Sequence, residues 1–471
     1  MSKITHGQIR TAIYDKYIKP TKRPETKYVG VEFEFPIVNL EGGPVDFSLI
    51  HNLTDAFIKN FHFEPAAWDD DGYINSAKDP GNGDDLSFDC SYNTLEFSFG
   101  KEENLNEVNQ RYHAYFQFVQ DYLAPHNHCL TGMGINPGYQ HNHKIPVPNP
   151  RYRMLLHHLS SYKKYNGWMQ FHDIPYFGLL SCSSQTHIDV QEDQITETIN
   201  TFNKLEPLKA LLFSNSPMDV GNSFDGSSDG NLLCARDYLW RQSLHGLNPH
   251  NLDMYAKDLA STDEMVSYFM SMSLYCLERD GRYLNFEPTP LLDYFSRDII
   301  HGEYYENGSY QQVDFQPRIE DIKNLRSFKF EDLTFRGTVE LRSVCEQPAS
   351  DAMSAPAFHA GLKAQLPRLT RLLNKETSLL QLGYTPTELR KMLVKRRLPS
   401  FIDKDSTAKL LVQILDIAKD GLTARGFGEE HLLDPLYQRT EGLMSPGREM
   451  AEGIESGKTK EYYIKKFGSL E

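Results

Sequence analysis

Four short segments place charged or hydrogen-bonding residues at every second position. In Tyr28-Val29-Gly30-Val31-Glu32-Phe33-Glu34-Phe35, valines and phenylalanines alternate with Gly30, Glu32 and Glu34. Thr94-Leu95-Glu96-Phe97-Ser98-Phe99 isolates Glu96 in the same way, and Gln185-Thr186-His187-Ile188-Asp189-Val190 groups Gln185, His187 and Asp189. Thr338-Val339-Glu340-Leu341-Arg342 pairs Glu340 with Arg342. A period of two is that of a β-strand, whose successive side chains point to opposite faces, so each segment has one polar and one apolar face. Singly, each reads first as an ordinary antiparallel strand with a wet face. On one sheet they would gather several carboxylates and a histidine. Carboxylates crowded within about 4–6 Å raise one another's pKa unless a cation sits among them. Hard oxygen donors with one imidazole suit magnesium or manganese better than a soft metal. Such a face, loaded with divalent ions, is suited to ATP, whose phosphates complete the coordination.

Other motifs carry less. Gly453-Ile454-Glu455-Ser456-Gly457-Lys458-Thr459 is one residue short of a P-loop and follows a helical pattern instead of a strand. His126-Asn127-His128 and His141-Asn142-His143 lack a third-ligand pattern and read as surface loops. There is no GxGxxG turn, no GxSxG elbow, and no cysteine in a nucleophile-like context.

The elements that must position these residues belong to a chain of 471 residues, long enough for one elaborate domain or two closely packed ones. A net charge of −15 disfavours a nucleic-acid binder but not an anionic substrate, since arginines or a metal can reverse the sign locally. Six scattered cysteines without a CxxC pair read as reduced thiols of a cytoplasmic protein. Neither a signal peptide nor a run of about 20 apolar residues is present, so no membrane partner is expected, and the sequons at Asn52 and Asn307 read as accidental. Residues 4–18 suggest a short leading helix. Residues 27–344 mix strands, helices and polar loops, including the Asp/Gly-rich 69–85 and 219–231. After Pro348 helical patterns dominate. Thr385-Pro386-Thr387-Glu388 is a capping box with proline at the first helical position, and Leu411, Ile414, Leu415 and Ala418 form one apolar helix face. These patterns predict a catalytic core over residues 1–349 and a helical section over 350–471 packed on it, the two being either separate units or one continuous domain.

Several of these segments resemble the glutamate–cysteine ligases, especially the plant-type branch, within the glutamine-synthetase-like carboxylate-amine ligases. Val29-Gly30-Val31-Glu32-Phe33-Glu34 resembles the family's Gly-x-Glu-x-Glu start, and Leu95-Glu96-Phe97-Ser98 its Leu/Val-Glu-Leu-Ser strand. Asp89 lies seven residues before Glu96, a spacing seen in other ligase branches. Gly134-Ile135-Asn136-Pro137 through Arg151-Tyr152 to Met154 resembles the substrate-loop region, and residues 181–189 the central strand. Leu212-Phe213-Ser214-Asn215-Ser216-Pro217, Arg236 with Trp240, and Val339-Glu340-Leu341-Arg342 followed by Ser354-Ala355-Pro356-Ala357-Phe358 extend the likeness over roughly residues 27–365, with an echo at residues 445–450. Two departures concern the acceptor amine. The plant-type glycine-rich turn is replaced by residues 88–93, and position 187 is histidine where the plant type has asparagine.

The resemblance implies an α+β fold, with a curved, mainly antiparallel sheet, flanking helices and a helical C-terminal section. It implies an ATP-dependent, ADP-forming ligase that makes γ-glutamylcysteine through a γ-glutamyl phosphate. Glu32, Glu34, Asp89, Glu96, His187 and Glu340 would share magnesium or manganese, and Arg342 would stabilise the phosphoryl group beside Glu340. Arg236 and Gln185 would grip glutamate, with Trp240 and Tyr152 shaping the pocket. The expected partners are small molecules only: glutamate, ATP and cysteine or another amine. Two alternatives stay open, a γ-glutamyl ligase with a different acceptor and a catalytically silent nucleotide-binding homologue. Oligomeric state is open too.

Overall fold

The computed structural model describes residues 4–219 and 231–471, so most of the 219–231 stretch lies outside the described residues. Among the described residues, nine strands form one sheet whose pairings are all antiparallel. Its order runs Glu331–Leu333, Thr338–Leu341, Ser184–Asp189, Val29–Asn39, Thr94–Glu102, Asp85–Ser87, Ile74–Lys78 and Glu64–Trp68, with His128–Leu130 on the outer half of the Val29–Asn39 strand. All four polar segments are therefore neighbours at its centre. The fold is α+β, as the alternation and the family likeness predict.

The apolar faces of these strands bury Val31, Phe33, Phe35, Leu95 and Phe97 almost completely. Phe33 and Phe35 meet Tyr112 and Phe116 edge-on at ring separations of 5.2 and 4.9 Å. Those partners lie on the Leu105–Leu123 helix, whose buried Val108, Tyr112, Tyr115, Phe116 and Val119 recur at helical spacing. Full burial of each such side chain favours folding by about 1.5–3 kcal/mol, and so locks the opposite, polar face into register. The Ser354–Ala364 helix covers the same side beneath the Ser184–Asp189 strand, where Thr186 Oγ1 lies 3.1 Å from His359 Nδ1. Behind it, the Lys404–Arg425 helix buries Leu411, Ile414, Leu415 and Ala418 completely. The two helix backbones touch: a Cβ on Gly421 would sit 1.9 Å from Gly361 O. The Pro386–Leu393 helix begins at the predicted capping box, and every element after Ala349 is helical.

One local expectation is met and two are corrected. The leading helix spans His6–Ile13 and continues to Ile18 as a wider π-turn. The 69–85 stretch is not one loop, because the Ile74–Lys78 strand runs through it with Asn75 and Ala77 buried between two Asp/Gly turns. His128 is no surface residue, since its Nε2 accepts the Asp46 N–H at 3.2 Å from a buried strand position.

A second, four-stranded antiparallel sheet spans Ser273–Arg279, Arg282–Pro290, Ile300–Glu306 and Ser309–Phe315. Two of its hairpins turn on Asp280-Gly281 and Asn307-Gly308, each with two consecutive positive φ angles, the backbone that tight hairpins need. This sheet contributes Tyr275 to the cavity described next.

Candidate active site

Register builds the site. Glu340 lies opposite His187, which lies opposite Gly30. Gln185 faces Glu32, which faces Ser98, and Glu34 faces Glu96. Gly30 is the polar-face position without a side chain, and a Cβ there would come within 3.0 Å of the His187 Cβ. Glycine therefore leaves the imidazole room over the opening strand.

Two triads result. The potential ligand atoms of Glu32, His187 and Glu340 lie within 4.8 Å of one another, as do those of Glu34, Asp89 and Glu96. In the first, His187 Nε2 is 3.1 Å from Glu32 Oε1, and Arg342 Nη1 is 3.4 Å from Glu340 Oε1. Burial works to raise the Glu32 pKa, but the His187 hydrogen bond and charge, with Arg336 and Arg342, hold it below the ordinary 4.5. Burial works to lower that of His187, but Glu340 and Glu32 hold it above the ordinary 6.5. Asp332, opposite Glu340 on the edge strand, is pushed up to about 7 by burial and by Glu340.

In the second triad, Glu34 Oε2 accepts the Ser183 N–H at 2.7 Å and its hydroxyl at 3.0 Å, while Oε1 accepts the Gln185 amide at 2.8 Å. Ser98 donates to Glu96 at 2.6 Å. Burial and then Asp89 push Glu34 up to about 8, with Arg236 and Ser183 offsetting part of this. Burial and the charges of Glu32, Asp89 and Glu34 push Glu96 well above its ordinary range. Asp89 arrives from a tight turn, where Cys90 adopts φ +62° and the Ser91 N–H bonds back to Asp89 O at 2.7 Å. Three carboxylates held by neutral donors are what a divalent cation stabilises, and the oxygen-rich set with one imidazole nearby fits magnesium or manganese.

A cavity of about 370 Å³ opens from these triads, and Tyr152, Gln185, Arg236, Trp240 and Arg342 all line it. Tyr152 comes from the Pro150–Ser160 helix and Arg236 and Trp240 from the Ala235–Arg241 helix. Arg236 donates to Arg342 O at 3.1 Å and Ser343 O at 3.4 Å, tying its helix to the strand end. Next to it, Asp237 is held by buried Arg390 at 2.7 Å, and Arg390 also reaches Glu206 at 2.7 Å. Trp240 stacks on His245 at 5.5 Å and meets the Phe177 ring edge-on at 5.1 Å. The Gln185 amide, predicted to grip a substrate, here holds Glu34. Sequence reasoning did not find Ser183, Asp332, His245, Tyr275, Arg326 or Arg336. Only Ser183 had a signal, lying two residues before Gln185 on the same face.

A second cavity of about 540 Å³ adjoins the first, with Tyr28, Lys78, Lys101, His187 and Thr338 in its walls. Glu32 and Arg336 line both.

Residues 28–392 match the family described as glutamate-cysteine ligase family 2. The chloroplastic glutamate–cysteine ligases of Medicago truncatula and Brassica juncea are 21% and 22% identical over 339 and 336 residues, covering 69% of this chain. The aligned part spans 58% of each of those relatives. The crystal structure of the Francisella tularensis glutamate–cysteine ligase in complex with AMP is similar with a TM-score of 0.46 at 11% identity, covering 95% of this chain and 88% of that one. With the family's match running from the opening strand of the sheet to the helix that carries Arg390, this chain belongs to glutamate-cysteine ligase family 2.

Proposed function

We propose that the protein is an ATP-dependent ligase that joins the γ-carboxyl of glutamate to the amine of cysteine through a γ-glutamyl phosphate. One observation carries this reading: Glu32, Glu34, Glu96, His187 and Glu340 share one sheet face with Arg342, form two potential ligand triads with Asp89 from the adjoining turn, and adjoin a cavity lined by Arg236. A carboxylate does not react with an amine near neutral pH, so it must first be activated by phosphoryl transfer. Glu32, His187, Glu340, Glu34, Asp89 and Glu96 would hold magnesium or manganese, which neutralises phosphate charge when bound.

The chain's own groups supply the rest. The Arg342 guanidinium, fixed by Glu340, stabilises the phosphoryl group in flight, a task suited to its planar fork. Arg236 binds the glutamate α-carboxylate, and Gln185 and Ser183 keep the Glu34 carboxylate aimed into the cavity. Trp240 and Tyr152 wall the pocket and exclude water that would hydrolyse the acyl phosphate. ATP occupies the neighbouring cavity, with its terminal phosphate at Glu32 and Arg336, the residues the two cavities share. All six cysteines are free thiols, which suits a reducing compartment such as the cytoplasm. No helix among the described residues is long and apolar enough to cross a membrane. Mass spectrometry of products from glutamate, ATP, magnesium and a pool of amines tests the reading. It predicts γ-glutamylcysteine with stoichiometric ADP, and absence of any γ-glutamyl amide would contradict it.

A further inference from the structure

Behind the cavity wall lies a group of charges sealed from solvent. Glu206, Lys209, Asp237 and Arg390 are each no more than 2% exposed, and none of them lines the cavity. Taking charges out of water costs as much as their pairing usually returns, and apolar side chains of the same volume would serve stability as well or better. Such a cluster is poor evidence of stability, and what it can supply instead is fixed geometry.

The contacts converge on Arg390. Its helix, Pro386–Leu393, starts at the capping box and buries Leu389, Arg390 and Leu393 against the Ile195–Phe213 helix, which carries Glu206 and Lys209. Arg390 Nε donates to Asp237 Oδ2 at 2.7 Å and Nη2 to Oδ1 at 3.3 Å, a two-point grip on the residue next to Arg236. Nη1 donates to the Glu206 carboxylate at 2.7 Å and to the Glu206 carbonyl at 2.8 Å. Nη2 also reaches Ser343 O at 3.4 Å, the carbonyl that Arg236 Nη1 meets at 3.4 Å from the other side. The Ser343 hydroxyl in turn donates to Glu206 Oε1 at 2.9 Å. One guanidinium thus ties together the helix bearing Arg236, the chain just after Arg342 and the Glu206 helix. It uses all three of its nitrogens, which the single nitrogen of an ammonium cannot copy.

Burial works to raise the Asp237 pKa, but the charge of Arg390 and then that of Arg241 hold it below the ordinary 3.8, so the contact is a full ion pair at neutral pH. Resting on the ligase reading above, in which Arg236 takes the glutamate α-carboxylate and Arg342 the phosphoryl group, we infer that Arg390 is a positioning residue that sets the spacing of those two arginines. The helical section after Ala349 then contributes to the chemistry through this side chain, besides packing on the sheet. Glutamate spans both arginines, with its α-carboxylate at one and its γ-carboxyl at the other. The neighbouring cavity given to ATP has neither arginine in its walls. A change in their spacing is therefore felt by glutamate and not by the nucleotide, and a misplacement of about 1 Å can cost about 100-fold in rate.

The test is Arg390→Lys, which keeps a buried positive charge beside Glu206 and Asp237 but loses the fork. With cysteine as acceptor, the glutamate KM should rise about tenfold and kcat fall by about 10–100-fold, while the ATP KM stays within about twofold. Asp237→Asn, which keeps the side chain's shape, should move the same two constants the same way by about three- to tenfold, and decides the matter should Arg390→Lys fail to fold. The double variant should be scarcely worse than Arg390→Lys alone, as expected where two residues act through one contact. A purely structural role predicts instead a lowered melting temperature with both KM values unchanged, because only the amount of folded enzyme falls. That result, an equal rise in both KM values, or additive losses in the double variant would overturn the assignment. A wild type that forms no γ-glutamyl amide would instead overturn the ligase reading on which it rests.

Discussion

The two triads stand two residues apart on one strand, yet their charges are balanced in opposite ways. Around Glu32 the protein supplies an imidazole and the Arg336 and Arg342 guanidiniums, and the carboxyl is held low. Around Glu34 it supplies serine and glutamine donors and two further carboxylates, and the carboxyl is pushed to about 8. The first group is close to compensated by the chain itself. The second keeps its full charge only with an external cation. Removing the cation should therefore act chiefly through the second triad, and removing a protein charge chiefly through the first.

The largest expected effect is that of metal removal. Excess chelator should abolish amide formation, and magnesium or manganese should restore it. Full turnover in chelator, with no metal retained by elemental analysis, would remove the cation from the account. Next come Glu340→Gln and Arg342→Lys, each expected to lower kcat by at least about 100-fold, because one preorganised transition-state contact is worth about 3–4 kcal/mol. Melting temperatures near that of the wild type would show the fold intact. If both variants turn over within a few-fold of wild type, the first triad has no part in the chemistry.

Stability against pH separates the triads without turnover. The folded Glu34 pKa is raised from 4.5 to about 8, so the folded protein binds a proton that the unfolded chain releases first. That contribution is full below about pH 4.5 and is lost as pH rises through about 8, at roughly 1.4 kcal/mol per pKa unit at most. In chelator, melting temperature should fall across this window. Magnesium should flatten the fall, and Glu34→Gln should reduce it, the raised Glu96 carboxyl keeping part of it. A metal-free protein whose stability rises across the window would refute the crowding. The smallest effects are Gly30→Ala and Ser183→Ala. The first crowds His187 and should lower kcat about tenfold without changing the chelator slope. The second removes one hydrogen bond to Glu34, worth about 1 kcal/mol, and should weaken magnesium binding several-fold with little change in kcat at saturating metal.

Much of the central sheet was legible because a strand's period alone puts Glu32 with Glu34 and Glu340 with Arg342. Their buried partners Phe33, Phe35 and Leu341 then leave only one face for the charges. Asp89 lies in a turn with a left-handed residue after it, where no period applies, and only the family likeness pointed to it. His245, Tyr275 and Arg326 are ordinary residue types on a turn, a second sheet and a loop, and only tertiary packing brings them to one cavity. The second sheet was readable in principle from its Asp-Gly and Asn-Gly hairpin signals, which the carboxylate strands overshadowed.

The most direct test of the account follows oxygen from glutamate labelled with ¹⁸O in its γ-carboxyl through a complete reaction with ATP, magnesium and cysteine. Activation as an acyl phosphate moves one carboxyl oxygen onto phosphorus, so mass spectrometry should find one ¹⁸O in the released phosphate for each γ-glutamylcysteine formed. Amide formed with unlabelled phosphate would contradict the γ-glutamyl phosphate, and with it the role given to Arg342 and the two triads.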